Sequence, residues 1–226
     1  MLISCWSVKG GSGTSVVAAS LAILLAEGST SGSLLVDIAG DQASLFGLSH
    51  HEHEPGLSDW LNSGTEVPAA GLRALEITVG GGVCLLQPGR CLPAHSERWD
   101  VLASLLDADD RAVVVDCGVI NETSPSGSLG CCLAGRAVQS LLVVRPCYLA
   151  LRRVAVAPLR PSGVVIVAEN GRALSAADVA AVVGAPILAQ VSVDPAVARA
   201  VDAGILGRRL PRPLARSLRH VCTATA

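Results

Sequence analysis

Seven short runs in this sequence are nearly continuous stretches of apolar, mostly β-branched residues: Leu2–Val8, Ser33–Asp37, Val83–Gln87, Ala112–Asp116, Ser140–Val144, Gly163–Ala168 and Ile187–Val191. A strand with one wet face alternates apolar and polar residues, whereas a strand covered on both faces does not. Between the runs lie Ala- and Leu-rich segments that read as helices: Thr14–Glu27, Leu57–Asn62, Ala94–Leu106, Leu129–Ala137, Tyr148–Ala157, Ala176–Val183 and Pro195–Asp202, with a short one near Pro213–Val221. Ser175, followed by Asp178, is a natural N-terminal cap. Parallel strands need long crossovers, so this order predicts an α/β fold: a doubly wound, mostly parallel sheet flanked by helices. No linker or internal repeat divides the chain. The reading is one domain over residues 1–226, ending in a short basic segment, 207–226.

Composition narrows the function classes. Half of the 226 residues are apolar but only five are aromatic, so the core is built from Ala, Val and Leu. The net charge of −2 and the apolar content exclude a disordered chain and a uniformly basic nucleic-acid protein. The longest apolar stretch, Val16–Ala26, is about half of the roughly 20 residues that span a bilayer. The N-terminus shows no secretory leader, so a cytoplasmic protein is expected. The eight cysteines have neither CxxC nor zinc spacing, and reduced thiols are expected. His50, His51, Glu52, His53 and Glu54 read as a solvated loop before Pro55. The charge is uneven. Residues 1–122 hold 15 acids and 5 bases, residues 123–226 hold 4 acids and 12 bases. Either the halves interleave and the field cancels, or the surface is dipolar and orients partners.

The sharpest motif is Val8–Ser15, VKGGSGTS, between an apolar strand and a helix. A glycine-rich turn there lets backbone N–H groups converge on an anion, and the helix N-terminus adds partial positive charge. Such a loop usually ends GK[ST], its lysine gripping the β- and γ-phosphates. Here Thr14 takes that place, while Ser15 keeps a hydroxyl for Mg²⁺. A lost charged hydrogen bond costs about 1.5–3 kcal/mol, roughly 10- to 150-fold in affinity. The only lysine of the chain, Lys9, stands at the front of the loop instead.

Lys9–Gly11 resembles the deviant Walker A motif, KGGxGK[ST], of the MinD/ParA ATPases. The resemblance implies binding of ATP and Mg²⁺ by Lys9, Gly10, Gly11, Ser12, Gly13, Thr14, Ser15 and Val16. It also implies a homodimer on ATP binding, with Lys9 reaching the partner's phosphates. Leu34–Leu48 resembles the second family motif. Asp37 matches its first acidic position and a candidate catalytic role; Ala39 stands at the second, and Asp41 lies nearby out of register. Ala112–Val119 resembles the Walker B strand, with Asp116 and Ser15 at the Mg²⁺. Ser140–Val154 and Gly163–Pro195 resemble the later part of the family, with Asp194 and Pro195 in the loop that covers the base. For Asp37 and Asp116 the bland alternative is capping of loop N–H groups at strand ends.

The eroded motifs are most like the CpaE/TadZ branch, which implies positioning or regulation of a Tad-type pilus or secretion assembly through its motor ATPase. With Thr14 and Ala39 replacing key groups, slow or absent hydrolysis is expected. The alternatives are a nucleotide-free pseudo-ATPase scaffold and a partitioning ATPase that binds DNA non-specifically. The segment Gly207–Val221 holds Arg208, Arg209, Arg212, Arg216 and Arg219, with Leu210, Leu214, Leu218 and Val221 at helical spacing. It reads as a helix packed on the domain, as a membrane-surface helix, or as a patch for DNA phosphates. No nucleophile elbow supports Ser/His/Asp catalysis.

Overall fold

The structure, a computed structural model, describes residues 1–48, 54–63, 68–90, 98–125 and 128–223. In the first half, β1 (Leu2–Ser7), α1 (Thr14–Glu27), β2 (Ser33–Asp37) and α2 (Gln42–Leu45) lead into α3 (Leu57–Asn62) and α4 (Ala69–Arg73). A hairpin of β3 (Glu76–Gly80) and β4 (Val83–Leu86) follows, then α5 (Arg98–Asp107) and β5 (Ala112–Val119). The second half runs α6 (Leu129–Arg136), β6 (Gln139–Val144), α7 (Tyr148–Ala155), β7 (Gly163–Ala168), α8 (Ala176–Val183), β8 (Ile187–Ser192), α9 (Pro195–Asp202) and α10 (Arg212–Thr223).

The eight strands form one sheet in the order β3-β4-β2-β5-β1-β6-β7-β8. Every pairing is parallel except β3 with β4. The inner strands β1, β2 and β6 are buried at every position, which is why they carry no alternation. One apolar layer packs Trp60, Leu102, Leu133, Val154 and Val179 of the helices α3, α5, α6, α7 and α8 against the sheet. The other packs α1 and α10 against it. Helix α1 packs on the sheet with α10 beside it, so ten of its 14 residues are buried. It is a core helix more than an amphipathic one.

Three elements escape the sequence pattern. Edge strand β3, EITVG, is only half buried and lacks an apolar run. It is tied down by Arg111, whose guanidinium grips Glu76 at 2.7 and 2.9 Å and Asp109 at 2.8 Å. Helices α2 and α4 have four and five residues, too short for a helical period. Of the expected helix Ala94–Leu106, the part from Arg98 is helical and residues 94–97 lie outside the described residues. The Ser175 cap is present: its hydroxyl accepts the Asp178 N–H, and the Asp178 carboxylate accepts the Ser175 N–H. No helix among the described residues is long and apolar enough to cross a membrane.

Strand order also decides the charge question. The strands of the acidic half (β2–β5) lie on one side of β1, and those of the basic half (β6–β8) lie on the other. The halves do not interleave in the sheet, so interleaving does not cancel their opposite charges.

The basic terminal segment is part of this core. Leu214, Leu218 and Val221 of α10 are buried, Arg219 pairs with Glu27 at 3.3 Å, and Arg212 and Arg216 face outward without an ion pair among the described residues. The apolar stripe is spent on the domain and is not free to lie in a bilayer. Leu218→Ala should therefore cost about 2–5 kcal/mol of unfolding free energy, read by urea denaturation. A loss below about 0.5 kcal/mol would mean that α10 is only loosely docked.

Candidate functional site

The loop after β1 sits at the C-terminal ends of the central strands, where open α/β sheets form their ligand crevice. Two hydroxyls brace it: Ser7 Oγ and Ser12 Oγ both donate to the Lys9 carbonyl, at 3.1 and 2.8 Å. Gly11 and Gly13 have φ of +73° and +88°, the left-handed region that side chains disfavour. A Cβ on Gly10 or Gly11 would meet nothing within 4 Å, so these glycines leave their backbone open to a ligand. Helix α1 then begins at Thr14, which is buried. Lys9 stands at the mouth. Its Nζ lies 3.5 Å from the Gly10 carbonyl and reaches no carboxylate among the described residues.

The acidic groups gather beneath. Asp37 and Asp116 are in register on β2 and β5 and both are buried. Asp37 accepts the N–H groups of Gly40 at 2.7 Å and Gln42 at 2.9 Å. Its carboxylate caps the loop that opens α2, and neither Asp37 nor Asp116 is among the residues lining the cleft itself. Asp116 accepts from the Gly118 N–H at 3.1 Å and from Gln42 Nε2 at 2.8 Å. Gln42 is fully buried and also donates to the Ser15 carbonyl at 3.0 Å, so one amide joins Asp116 to the start of α1.

Asp41 and Gln42 are the residues that counting along the motif passes over. Asp41 is out of register with the second acidic position, yet a turn at Gly40, φ +92°, brings it into the cleft. There it accepts from Ser15 Oγ at 3.4 Å. Ser15, Ala39, Asp41, Cys117, Gly118 and Val119 line this cleft with Gly10–Ser15, around about 670 Å³. A smaller apolar pocket of about 270 Å³ joins it, sharing Gly13, Val16 and Val201. Asp194 lines that pocket and caps α9 by accepting the Ala196 N–H at 2.7 Å; Pro195 is the first residue of α9.

The donor set suits a hard cation. Ser15, Asp41 and Asp116 offer only oxygen, as Mg²⁺ prefers. No group of three or more His, Cys, Asp or Glu among the described residues is arranged to hold a metal ion by itself. Mg²⁺ commonly binds through one or two protein oxygens plus phosphates. The segment His50–His53 lies outside the described residues. Seven cysteines are free thiols, and burial pushes Cys5 and Cys117 up; Cys91 lies outside the described residues.

No family model matches the chain, and no curated protein matches it in sequence. Solved structures do. A ParA family ATPase from Chlorobium tepidum TLS superposes with TM-score 0.79 at 18% identity, over 100% of this chain and 98% of that one. The fold is that of the ParA and MinD ATPases. The septum site-determining protein MinD of Pyrococcus horikoshii OT3, complexed with Mg-ADP, gives TM-score 0.75 at 19% identity over 99% and 95% of the two chains. A substituted form of Cyanothece McdA in complex with ATP gives 0.71 at 15%, over 99% and 94%.

Burial pushes the Asp37 carboxyl up to about 7; the N–H groups of Gly40 and Gln42 oppose this, and the carboxylates of Asp116 and Asp41 add to it. Asp116 moves up too, chiefly through burial. The folded state thus holds a proton on Asp37 that the unfolded chain releases between about pH 4 and pH 7, so stability falls as pH rises through that window. Asp37→Asn should flatten the fall by about 2–4 kcal/mol between pH 4.5 and 7.5 in urea unfolding. Equal slopes in both proteins would show that Asp37 is ionised throughout.

Proposed function

We propose that the protein is a MinD/ParA-like, nucleotide-dependent dimeric switch with weak or absent hydrolysis. The observation that carries this reading is the meeting of an open glycine loop, the Ser15 hydroxyl and the Asp41 carboxylate in one cleft beside an apolar pocket, with Asp116 buried next to the cleft residues Cys117 and Gly118. The loop N–H groups of Gly10–Ser15 take the phosphates. Ser15, with Asp116 and Asp41, holds Mg²⁺, which when bound neutralises phosphate charge. The resemblance implies ATP as the triphosphate.

Lys9 supports the dimer. Its ammonium meets no carboxylate among the described residues and stands at the cleft mouth, where it can reach a second copy's phosphates. Val119, in the cleft wall, and Tyr148 and Leu149, which open α7, leave apolar surface exposed at the ends of β5 and β6. Hydrolysis is slow because Thr14 cannot stabilise charge on the γ-phosphate and Ala39 cannot orient water. The biological task, by the CpaE/TadZ resemblance, is to place or regulate a Tad-type pilus or secretion assembly from the cytoplasm, recruited to the membrane or pole by a protein such as its motor ATPase.

Light scattering with and without Mg²⁺ and ATP, or GTP in parallel, should show a mass doubling that Lys9→Ala abolishes. An unchanged mass with both nucleotides, and no heat of binding, would leave the pseudo-ATPase scaffold. Thr14→Lys should tighten nucleotide binding by about 10- to 150-fold in calorimetry. Wild-type turnover in the ordinary range of 1–10³ per second would overturn the roles given to Thr14 and Ala39.

A second reading rests on a separate cleft of about 830 Å³, lined by Arg199, Arg209 and Arg212 with Asp194. These arginines and Arg208 have no ion pair among the described residues, on the basic side of the sheet. That favours a partner rich in phosphate, such as DNA held without sequence preference, over a bilayer that needs a free apolar face.

A further inference from the structure

Arg145 follows β6, the strand paired with β1, which feeds the glycine loop. It lines the apolar pocket with Gly13, Val16, Val167 and Val191. Its Nε is buried and has no hydrogen-bond partner among the described residues. Glu169 feels its charge only weakly, because that carboxylate is held by Arg172 at 2.6 and 2.8 Å. Asp194, across the pocket, is engaged in capping α9. The side chain is only partly buried, and Asp202 also lines the pocket, but an Nε–H shut from water without an acceptor is costly and calls for a ligand that supplies one.

The phosphates are not that acceptor. Arg145 does not line the phosphate cleft, whereas Gly13, Val16 and Val201 line both cavities. A nucleotide whose phosphates lie on the loop therefore turns its base past Gly13 and Val16 toward Arg145. We infer that Arg145 reads the edge of the base and that this pocket takes guanine in preference to adenine. The inference rests on the nucleotide reading above and concerns the base alone, where this chain departs from the ATP that the resemblance implies.

The chemistry decides the preference. A guanidinium presents N–H donors side by side and no acceptor. Guanine offers two adjacent acceptors, N7 and O6, which such a fork satisfies together. Adenine offers N7 beside an N6 amino group, which sets donor against donor; a carboxamide suits that pair better. The rest of the pocket wall is mostly valine, which tolerates either ring; its other polar side chains are Ser192, Asp194 and Asp202, and the two carboxylates accept from N–H groups that both bases carry.

Calorimetry with the β,γ-imido analogues of GTP and ATP in the presence of Mg²⁺ tests this. Wild type should bind the guanine analogue about 5- to 150-fold more tightly, the range one bidentate pair supplies. Arg145→Gln should shift the preference toward the adenine analogue. Arg145→Lys keeps the charge without the fork and should bring the two analogues within about twofold. Equal or tighter wild-type binding of the adenine analogue would overturn the inference and leave the nucleotide switch standing. So would an equal loss for both analogues in the variants, the mark of an arginine that merely stacks on the base. Failure of wild type to bind either analogue would overturn the switch and this inference together.

Discussion

Two carboxylates, Asp37 and Asp116, lie side by side in register on neighbouring buried strands, and no cation among the described residues meets them. Burying like charges this way is expensive, and the surrounding architecture answers that cost. Asp37 is surrounded by loop N–H donors and shifted up toward its neutral form. Asp116 takes the Gln42 amide, which also holds the start of α1. The strand ends, the loop before α2 and the glycine loop are thereby fastened to one another. A divalent cation with phosphates, the occupant proposed for the cleft, would complete the same electrostatic balance.

Topology gives the molecule its second property. With β1 between them, the strands of the acidic half and those of the basic half occupy opposite sides of the sheet. A sequence asymmetry that interleaving would have cancelled is not cancelled by this strand order. The basic end is closed by α10, whose leucines are buried against β8 and α1 while its arginines stay outside. One helix thus completes the core and presents charge, a division of labour set by a strongly amphipathic sequence.

The sheet was legible because its inner strands are apolar on both faces; all seven predicted runs became strands of it, the edge strand β8 included. β3 was not, since an edge strand with one half-wet face has no run to detect, and its hold comes from Arg111 reaching Glu76 and Asp109. At the site, Gly10–Ser15 could be read from spacing alone, as could the strand-end positions of Asp37 and Asp116. The place of Asp41 could not. Position along a motif presumes a fixed loop path, and the turn at Gly40 changes that path. Gln42 gave no signal either, because an amide in a polar loop is ordinary until it is found buried between Ser15 and Asp116.

The order of apolar runs and helices, and the glycines that free the loop backbone, are local properties, and the sequence by itself determined them. Local sterics and burial patterns act over a few residues, so they survive reading along the chain. Which carboxylate meets Ser15, which half of the chain carries its charge to which edge, and that Arg145 ends beside an apolar pocket were decided only by the tertiary structure. These depend on strand order and loop path, which bring together groups far apart in sequence, and their energies exist only once water has been excluded between them.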